Sequence, residues 1–255
     1  MNYVLIPLEK LDVRKVTFGK VKEDRYKGKD VPLCYKFENK PLPLYLKVKG
    51  CVVPFGIKQN TELNSSKVNG YSLSISLDSK YSKKVAELDS HLISVIYENR
   101  ASLGLGNKIP FDAISGYDEF GTDGKYKRVL MYPYRKENGV KVYELDRYLP
   151  RLDMKILSTV NTSPHKLNVD AFNESREKLP DLNECNYNET IPSRSVVNAV
   201  FSLSRISIGS YGVVLKPVVV RQLLVKKESI LPTDATLLVD NNDDDSDLDM
   251  QEIDF

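Results

Sequence analysis

Tryptophan is absent from this sequence, and it holds only two histidines and three cysteines. The scarcity closes off several chemistries. Cys34, Cys51 and Cys185 are odd in number and far apart, which excludes a disulfide framework and suits a reducing compartment. His91 and His165 share no zinc-site spacing with the cysteines or with each other, and no serine or cysteine lies in a nucleophile elbow. There is no GxxxxGK(S/T) phosphate loop, and the glycines of 104–108 (GLGNK) lack the flanking strand and helix that would aim amides at a phosphate. Nowhere does the chain approach the roughly 18–20 apolar residues of a membrane span. The starting MNYVLIPLEKL has no basic lead or small-residue cleavage site of a secretory signal. Asp112, Asp118, Glu119 and Asp123 cluster in a glycine-rich stretch, where solvation accounts for them. These absences describe an intracellular protein that is not an enzyme and that needs no metal or cofactor.

Charge is what the chain does have, and it is unevenly placed. Residues 240–255 read DNNDDDSDLDMQEIDF, with eight acids and no base. Like charges this dense repel, and the few apolar side chains among them do not repay the entropy of ordering, so this stretch reads as a disordered acidic tail. Subtracting it leaves 37 basic residues against 27 acids, a body near +10 beside a tail of −8. A basic body tethered to its own polyanion suits a nucleic-acid binder whose tail competes for the same surface. Residues Asp249, Glu252, Ile253, Asp254 and Phe255 form a charged tether with an aromatic end, a peptide anchor for a partner's pocket.

Along the body, β patterns dominate. Residues 16–21 and 31–37 read as strands, the second at an edge because it contains Pro32. In 42–53, Leu44, Leu46 and Val48 share one face while Tyr45, Lys47 and Lys49 share the other. Pro54, Phe55 and Gly56 break that run, and a polar loop is expected over 58–69. Residues 71–77 (YSLSISL) alternate with Tyr71, Leu73, Ile75 and Leu77 inward. The period then becomes helical over about 80–98, with Asp78 or Ser79 as cap and Tyr81, Val85, Leu88, Leu92 and Val95 or Ile96 as the apolar stripe. His91 borders that stripe and reads as a boundary residue.

The glycine-rich 101–125 predicts a long loop, 125–135 a strand, and Gly139 a turn with 140–143 returning. Between 125 and 155 lie nine basic side chains, five tyrosines and four acids. A strand is expected from Met154 to 160, and a short helix near 169–179 within a weakly patterned connection. Residues 194–208 resume strand character, with Val196 and Val200 inward and Phe201 a further candidate. A turn at 209–212 and a last strand over 213–227, interrupted at Pro217, close the body. The pattern predicts a mainly β fold: an OB-fold-like five-stranded barrel enlarged by long insertions, with one main helix. The boundaries are a single domain over 1–239, with an insertion at about 101–194, and the tail at 240–255.

The runs 46–56 (LKVKGCVVPFG), 71–77, 211–216 (YGVVLK) with the valine-rich strand after it, and 243–255 together resemble the single-stranded DNA-binding proteins of DNA phages and large DNA viruses. Those proteins carry an oligonucleotide-binding fold followed by an acidic tail that often ends in an aromatic residue. The resemblance implies coating of unwound DNA in replication and recombination, self-association, and tail contacts with DNA polymerase or helicase. It places the protein in a viral replication compartment, host nucleus or cytoplasm. Lysine and arginine neutralise phosphates, and tyrosine or phenylalanine rings stack on unpaired bases whatever their sequence. The candidate binding residues are Tyr45, Lys47, Lys49 and Phe55 from the early sheet. Lys125, Lys127, Arg128, Tyr132, Tyr134 and Arg135 come from the middle block, and Arg205, Lys216 and Arg221 from the closing hairpin. The competing reading is a viral structural or assembly protein, which predicts no salt-dependent oligonucleotide binding.

Overall fold

In the computed structural model, residues 3–23, 28–61, 67–159, 163–210, 212–215 and 217–226 are described. The fold is mainly β with one long helix, and the strands form two principal sheets of nine and seven members. In the larger sheet the order is Val4–Pro7, Leu44–Val52, Val196–Ser202, Val218–Lys226, Arg151–Ile156, Val68–Ser76 and Ile57–Thr61. Two short strands, Leu130–Met131 and Ala171–Phe172, pair alongside it. The smaller sheet runs Val16–Phe18, Lys29–Phe37, Arg205–Gly209, Gly212–Leu215 and Tyr126–Lys127, with Lys22–Glu23 and Lys40–Leu42 against Lys29–Phe37. The strand count therefore exceeds the expected five. Among the described residues no ladder joins the outer strands Val4–Pro7 and Ile57–Thr61.

The two sheets share one core because the chain passes between them repeatedly, with short crossings at 42–44, 127–130, 202–205 and 215–218. The crossing at 202–205 is stitched on both sides. Leu203 N–H donates to Leu44 O at 3.1 Å in the larger sheet, and Ser204 O accepts from Leu33 N–H at 2.9 Å in the smaller. Buried polar backbone must find partners, so these two bonds hold the corner shut. Leu44, Leu46 and Val48 are buried and alternate with the half-buried Tyr45 and Lys47 and the exposed Lys49, as the period of two requires. Tyr71, Leu73, Ile75 and Leu77 are also fully buried.

The helix spans Ser79–Glu98 and is capped by Asp78, whose carboxylate accepts from Tyr81 N–H at 2.9 Å. Its apolar stripe, Tyr81, Val85, Leu88, Leu92 and Ile96, joins the common core. Tyr81 O–H in turn accepts from Lys49 N–H at 3.0 Å, just before Gly50, where a φ of +66° bends the strand into a bulge.

Several expectations need correction. Pro32 is not on an edge strand: Lys29–Phe37 is paired on both sides. Pro32 is tolerated because Gly19 lies beside it, in the gap where Val16–Phe18 has ended and Lys22–Glu23 has not begun. In the polar 58–69 stretch, residues 58–61 and 68–69 are strand, through the pairing of Ile57–Thr61 with Val68–Ser76, and 62–66 lie outside the described residues. No helix forms at 169–179; a one-turn helix occurs instead at Tyr187–Thr190. In Val196–Ser202 the inward side chains are Val197, Ala199 and Phe201, whereas Val196 and Val200 are only half-buried. The run is apolar on both faces, so pairing rather than period sets its register. The expected single strand at 125–135 is three short ones in different sheets.

That last break has an identifiable cause. Asp89, on the inner face of the helix, is 0 % exposed. Its carboxylate accepts from Tyr126 O–H at 2.7 Å, Val129 N–H at 3.0 Å and Leu130 N–H at 3.1 Å. Burial pushes its pKa up to about 6, against the pull of these donors and of Arg128. Removing it in Asp89→Ala leaves three buried donors unpaired and should cost roughly 3–5 kcal/mol of stability by thermal or urea melts. Because the folded-state pKa is raised above the usual 3.8, its contribution is complete below that value and lost as pH rises through about 6. Wild type should therefore lose stability in thermal melts between pH 4.5 and pH 7 relative to Asp89→Asn, whose amide does not titrate, by roughly 2 kcal/mol.

Candidate nucleic-acid interface

Residues directly opposite one another in neighbouring strands share a face of the sheet. Following the register across the larger sheet from Tyr45 gives one continuous row. Leu5 lies beside Tyr45, then come Ser202, Val218, Lys155, Ser72 and Lys58. Their neighbours along each strand, such as Leu46, Phe201 and Met154, are buried in the core, so the row lies on the outer face. From Tyr45 to Lys58 it crosses five strand spacings, about 24 Å of sheet.

Rings stand at both ends. At one, Tyr45 packs against Tyr3 with centroids 4.8 Å apart. At the other, Phe55 is 47 % exposed, with Lys58 Nζ 4.2 Å and the Arg151 guanidinium 5.3 Å from its ring centre. Between them the face offers Lys155 and the hydroxyls of Ser72 and Ser202, with Lys47 one pleat along from Tyr45. Asp153, the acid in the neighbouring outward row, accepts from Ser74 O–H at 2.6 Å. Among the described residues no carboxylate pairs with Lys47, Lys58 or Lys155, and Arg151 Nε is buried without a hydrogen-bond partner. Chemically this is a strip of unneutralised cations and hydroxyls between the half-buried ring of Tyr45 and the exposed ring of Phe55.

No protein-family model matches the chain, and no curated protein is similar to it in sequence. Among solved structures it is similar to the crystal structure of gp2.5, a single-stranded DNA-binding protein encoded by bacteriophage T7. The two are 11% identical over 79% of this chain and 98% of that one, with a TM-score of 0.36.

The residues singled out from the sequence do not converge on one place. Tyr45 and Lys47 lie on the outer face, Lys49 is exposed further along the same strand beside the Gly50 bulge, and Phe55 stands at the far end of the strip. Lys125 is exposed, but its backbone is committed, donating to Ala113 O at 3.0 Å and accepting from Val213 N–H at 2.8 Å. Lys127 donates to Gly124 O at 2.9 Å. Arg128 is half-buried against Gly121, its Nε without a partner. Arg135 is ion-paired with Glu137 at 2.7 Å and Glu144 at 3.4 Å. Arg205 sits on the smaller sheet, paired with Asp30 at 2.9 Å. Lys216, the side chain of Arg221, and Asp249, Glu252, Ile253, Asp254 and Phe255 lie outside the described residues. Lys58, Arg151 and Lys155 were missed, although RLDMKI at 151–156 alternates and places Arg151, Asp153 and Lys155 outward.

Tyr132 and Tyr134 behave differently. Tyr132 is half-buried, edge-on to Phe120 with centroids 5.1 Å apart, and burial raises its phenol pKa. Tyr134 is 42 % exposed. The remaining polar clusters serve the fold. Asp118 accepts from Phe120 and Thr122 N–H groups within its own loop, and these bonds hold its carboxyl below the usual range. His91 contacts Val16 O at 3.0 Å, and His165 lies between Tyr71 O–H at 2.9 Å and Glu184 at 3.2 Å. Burial pushes the Cys51 thiol up to about 12. No group of three or more metal-ligating side chains occurs among the described residues, nor any helix long and apolar enough to cross a membrane. Tyr132→Leu should therefore lower the melting temperature by the equivalent of roughly 1–3 kcal/mol. Tyr134→Leu should stay within about 0.5 kcal/mol of wild type in the same melts.

Proposed function

We propose that the chain binds single-stranded DNA without sequence preference, laying the strand across the outer face of the larger sheet. One observation carries this reading: the strip from Tyr45 to Lys58, in which lysines without carboxylate partners and serine hydroxyls lie between the half-buried Tyr45 ring and the exposed Phe55 ring. Lysines neutralise phosphates and release counterions, while each stacked base contributes about 1–3 kcal/mol irrespective of its identity. The strip's length of about 24 Å suits roughly four nucleotides or more, the lower end of the range for oligonucleotide-binding folds. Duplex readout would instead call for a basic recognition helix. The long helix carries mixed charge, with Lys84 paired to Glu87 at 2.7 Å.

In this reading residues 1–239 are one oligonucleotide-binding-like domain, active in replication and recombination inside an infected cell. The acidic 240–255 stretch competes with DNA for the cationic surface and, when displaced, is free for a polymerase or helicase component. Self-association along the strand belongs to the same proposal.

Fluorescence anisotropy of a labelled oligonucleotide over a salt series tests it. Lys47→Glu combined with Lys155→Glu should weaken binding and lower the slope of log affinity against log salt by about 1.4, or 0.7 per lost phosphate contact. Unlabelled single strands should compete better than duplex of the same sequence. An unchanged slope, or preference for duplex, defeats the reading. Deleting 240–255 should tighten binding most at low salt, where attraction between tail and body is least screened. Equal affinity of the full-length and shortened proteins would remove the competition role.

A further inference from the structure

The hairpin formed by Tyr134–Glu137 and Val140–Tyr143 belongs to neither large sheet; it is a two-stranded ladder of its own. Its register sets Lys136 directly opposite Lys141. Like charges facing each other across a ladder destabilise it, and a lone pair of strands has little stability to spare. No carboxylate among the described residues offsets either lysine, whereas Arg135, on the opposite face, is neutralised by Glu137 and Glu144. The hairpin is instead held upright from its base. Tyr143 stacks on Phe120 at 3.7 Å and 21°, its hydroxyl lies 3.2 Å from Thr122 Oγ1, and Glu144 N–H donates to Pro133 O at 3.0 Å. The exposed Tyr134 shares the face of the lysine pair, with Lys141 Nζ 4.9 Å from its ring centre.

The root of this hairpin matters most. It is an excursion between two strands that pair with each other, Leu130–Met131 and Arg151–Ile156, with Met131 opposite Arg151. Arg151 is the residue beside Phe55 at the end of the outer strip. The hairpin thus rises about 13 Å, four residues of strand, from the end of the strip where Phe55, Lys58 and Arg151 meet.

We propose that it is a second contact for the nucleic-acid strand, an arm that takes phosphates on Lys136 and Lys141 and a base on Tyr134. The repulsion built into the empty ladder is relieved when a phosphate lies between the two ammonium groups. This inference rests on the sheet-face reading and extends it: the strand leaves the face past Phe55 and runs on along the arm. The acidic 240–255 stretch has the same anionic chemistry. Continuity of the arm with the strip favours the nucleic acid, and the test separates the two.

The full-length protein and two oligothymidylates provide that test, one of about 5 nucleotides that fits the sheet face and one of about 15 that reaches beyond it. Lys136→Gln with Lys141→Gln should leave the short probe's affinity unchanged. On the long probe the same variant should lower the salt slope by about 1.4, at 0.7 per phosphate contact. Lys136→Glu alone is the structural control. It sets a carboxylate opposite Lys141, so the hairpin should melt no lower than wild type while long-probe affinity still falls. Equal losses on both probes, no loss on either, or tighter binding of the long probe would each overturn the arm; the last would mean that the lysines hold the acidic stretch instead. Lys47→Glu with Lys155→Glu should weaken both probes. If that variant alone had no effect, the sheet-face reading would fail, whereas a failure confined to the hairpin variants leaves that reading standing.

Discussion

A buried carboxylate determines where much of this molecule's surface ends up. Asp89 gathers a tyrosine hydroxyl and two backbone amides from a segment about forty residues further along the chain. Tyr126–Lys127 and Leu130–Met131 are two-residue strands, too short for their ladders alone to hold them. One pairs with Gly212–Leu215 in the smaller sheet, the other with Arg151–Ile156 in the larger. The carboxylate lies at the step between them and supplies the acceptors that the ladder lacks. It thereby fixes the helix against both sheets and sets the point from which the 134–143 hairpin leaves.

The crossings between sheets do complementary work. At 203–204 the backbone bonds to Leu44 on one side and Leu33 on the other, so strands of both sheets close over a single apolar cluster. With the inner face committed to that cluster, period-two alternation leaves only the outer face for function. Strands from five separate regions of the chain, carrying Tyr45, Ser202, Lys155, Ser72 and Lys58, become neighbours there.

How much of this the sequence disclosed depends on how local each signal was. The 71–77 alternation, the strand carrying Tyr45 and Lys47, and the capped helix were legible because each pattern is written within one element. Val196–Ser202 was not: it is apolar at nearly every position, and its register follows from partners 150 residues away and a bulge at Gly50. The break in 125–135 was invisible for the same reason, since its cause sits on the helix. Pro32 reads as an edge signal, yet it lies in a two-residue gap between two short partners of an interior strand. Which basic and aromatic residues share a face was not legible, because cross-strand neighbours are set by pairing.

Counting charges shows why the residues singled out from the sequence do not share one surface. The 125–155 block drew attention through nine basic residues, but a cation held by a carboxylate contributes little to the field a phosphate meets, and salt screens what remains. Arg135 and Arg205 are spoken for, and Lys127 is turned to a carbonyl. The lysines left without acidic partners include Lys47, Lys58 and Lys155 on the sheet face and Lys136 and Lys141 on the hairpin. On the face they line a strip without a neutralising acid, and on the hairpin two of them oppose each other at a cost to the ladder. A solvated surface with no ligand has no reason to keep that second arrangement, since one glutamate in place of either lysine would turn repulsion into attraction. The unpaired lysines, more than the number of lysines, are therefore what the proposed path of a nucleic-acid strand over this fold rests on.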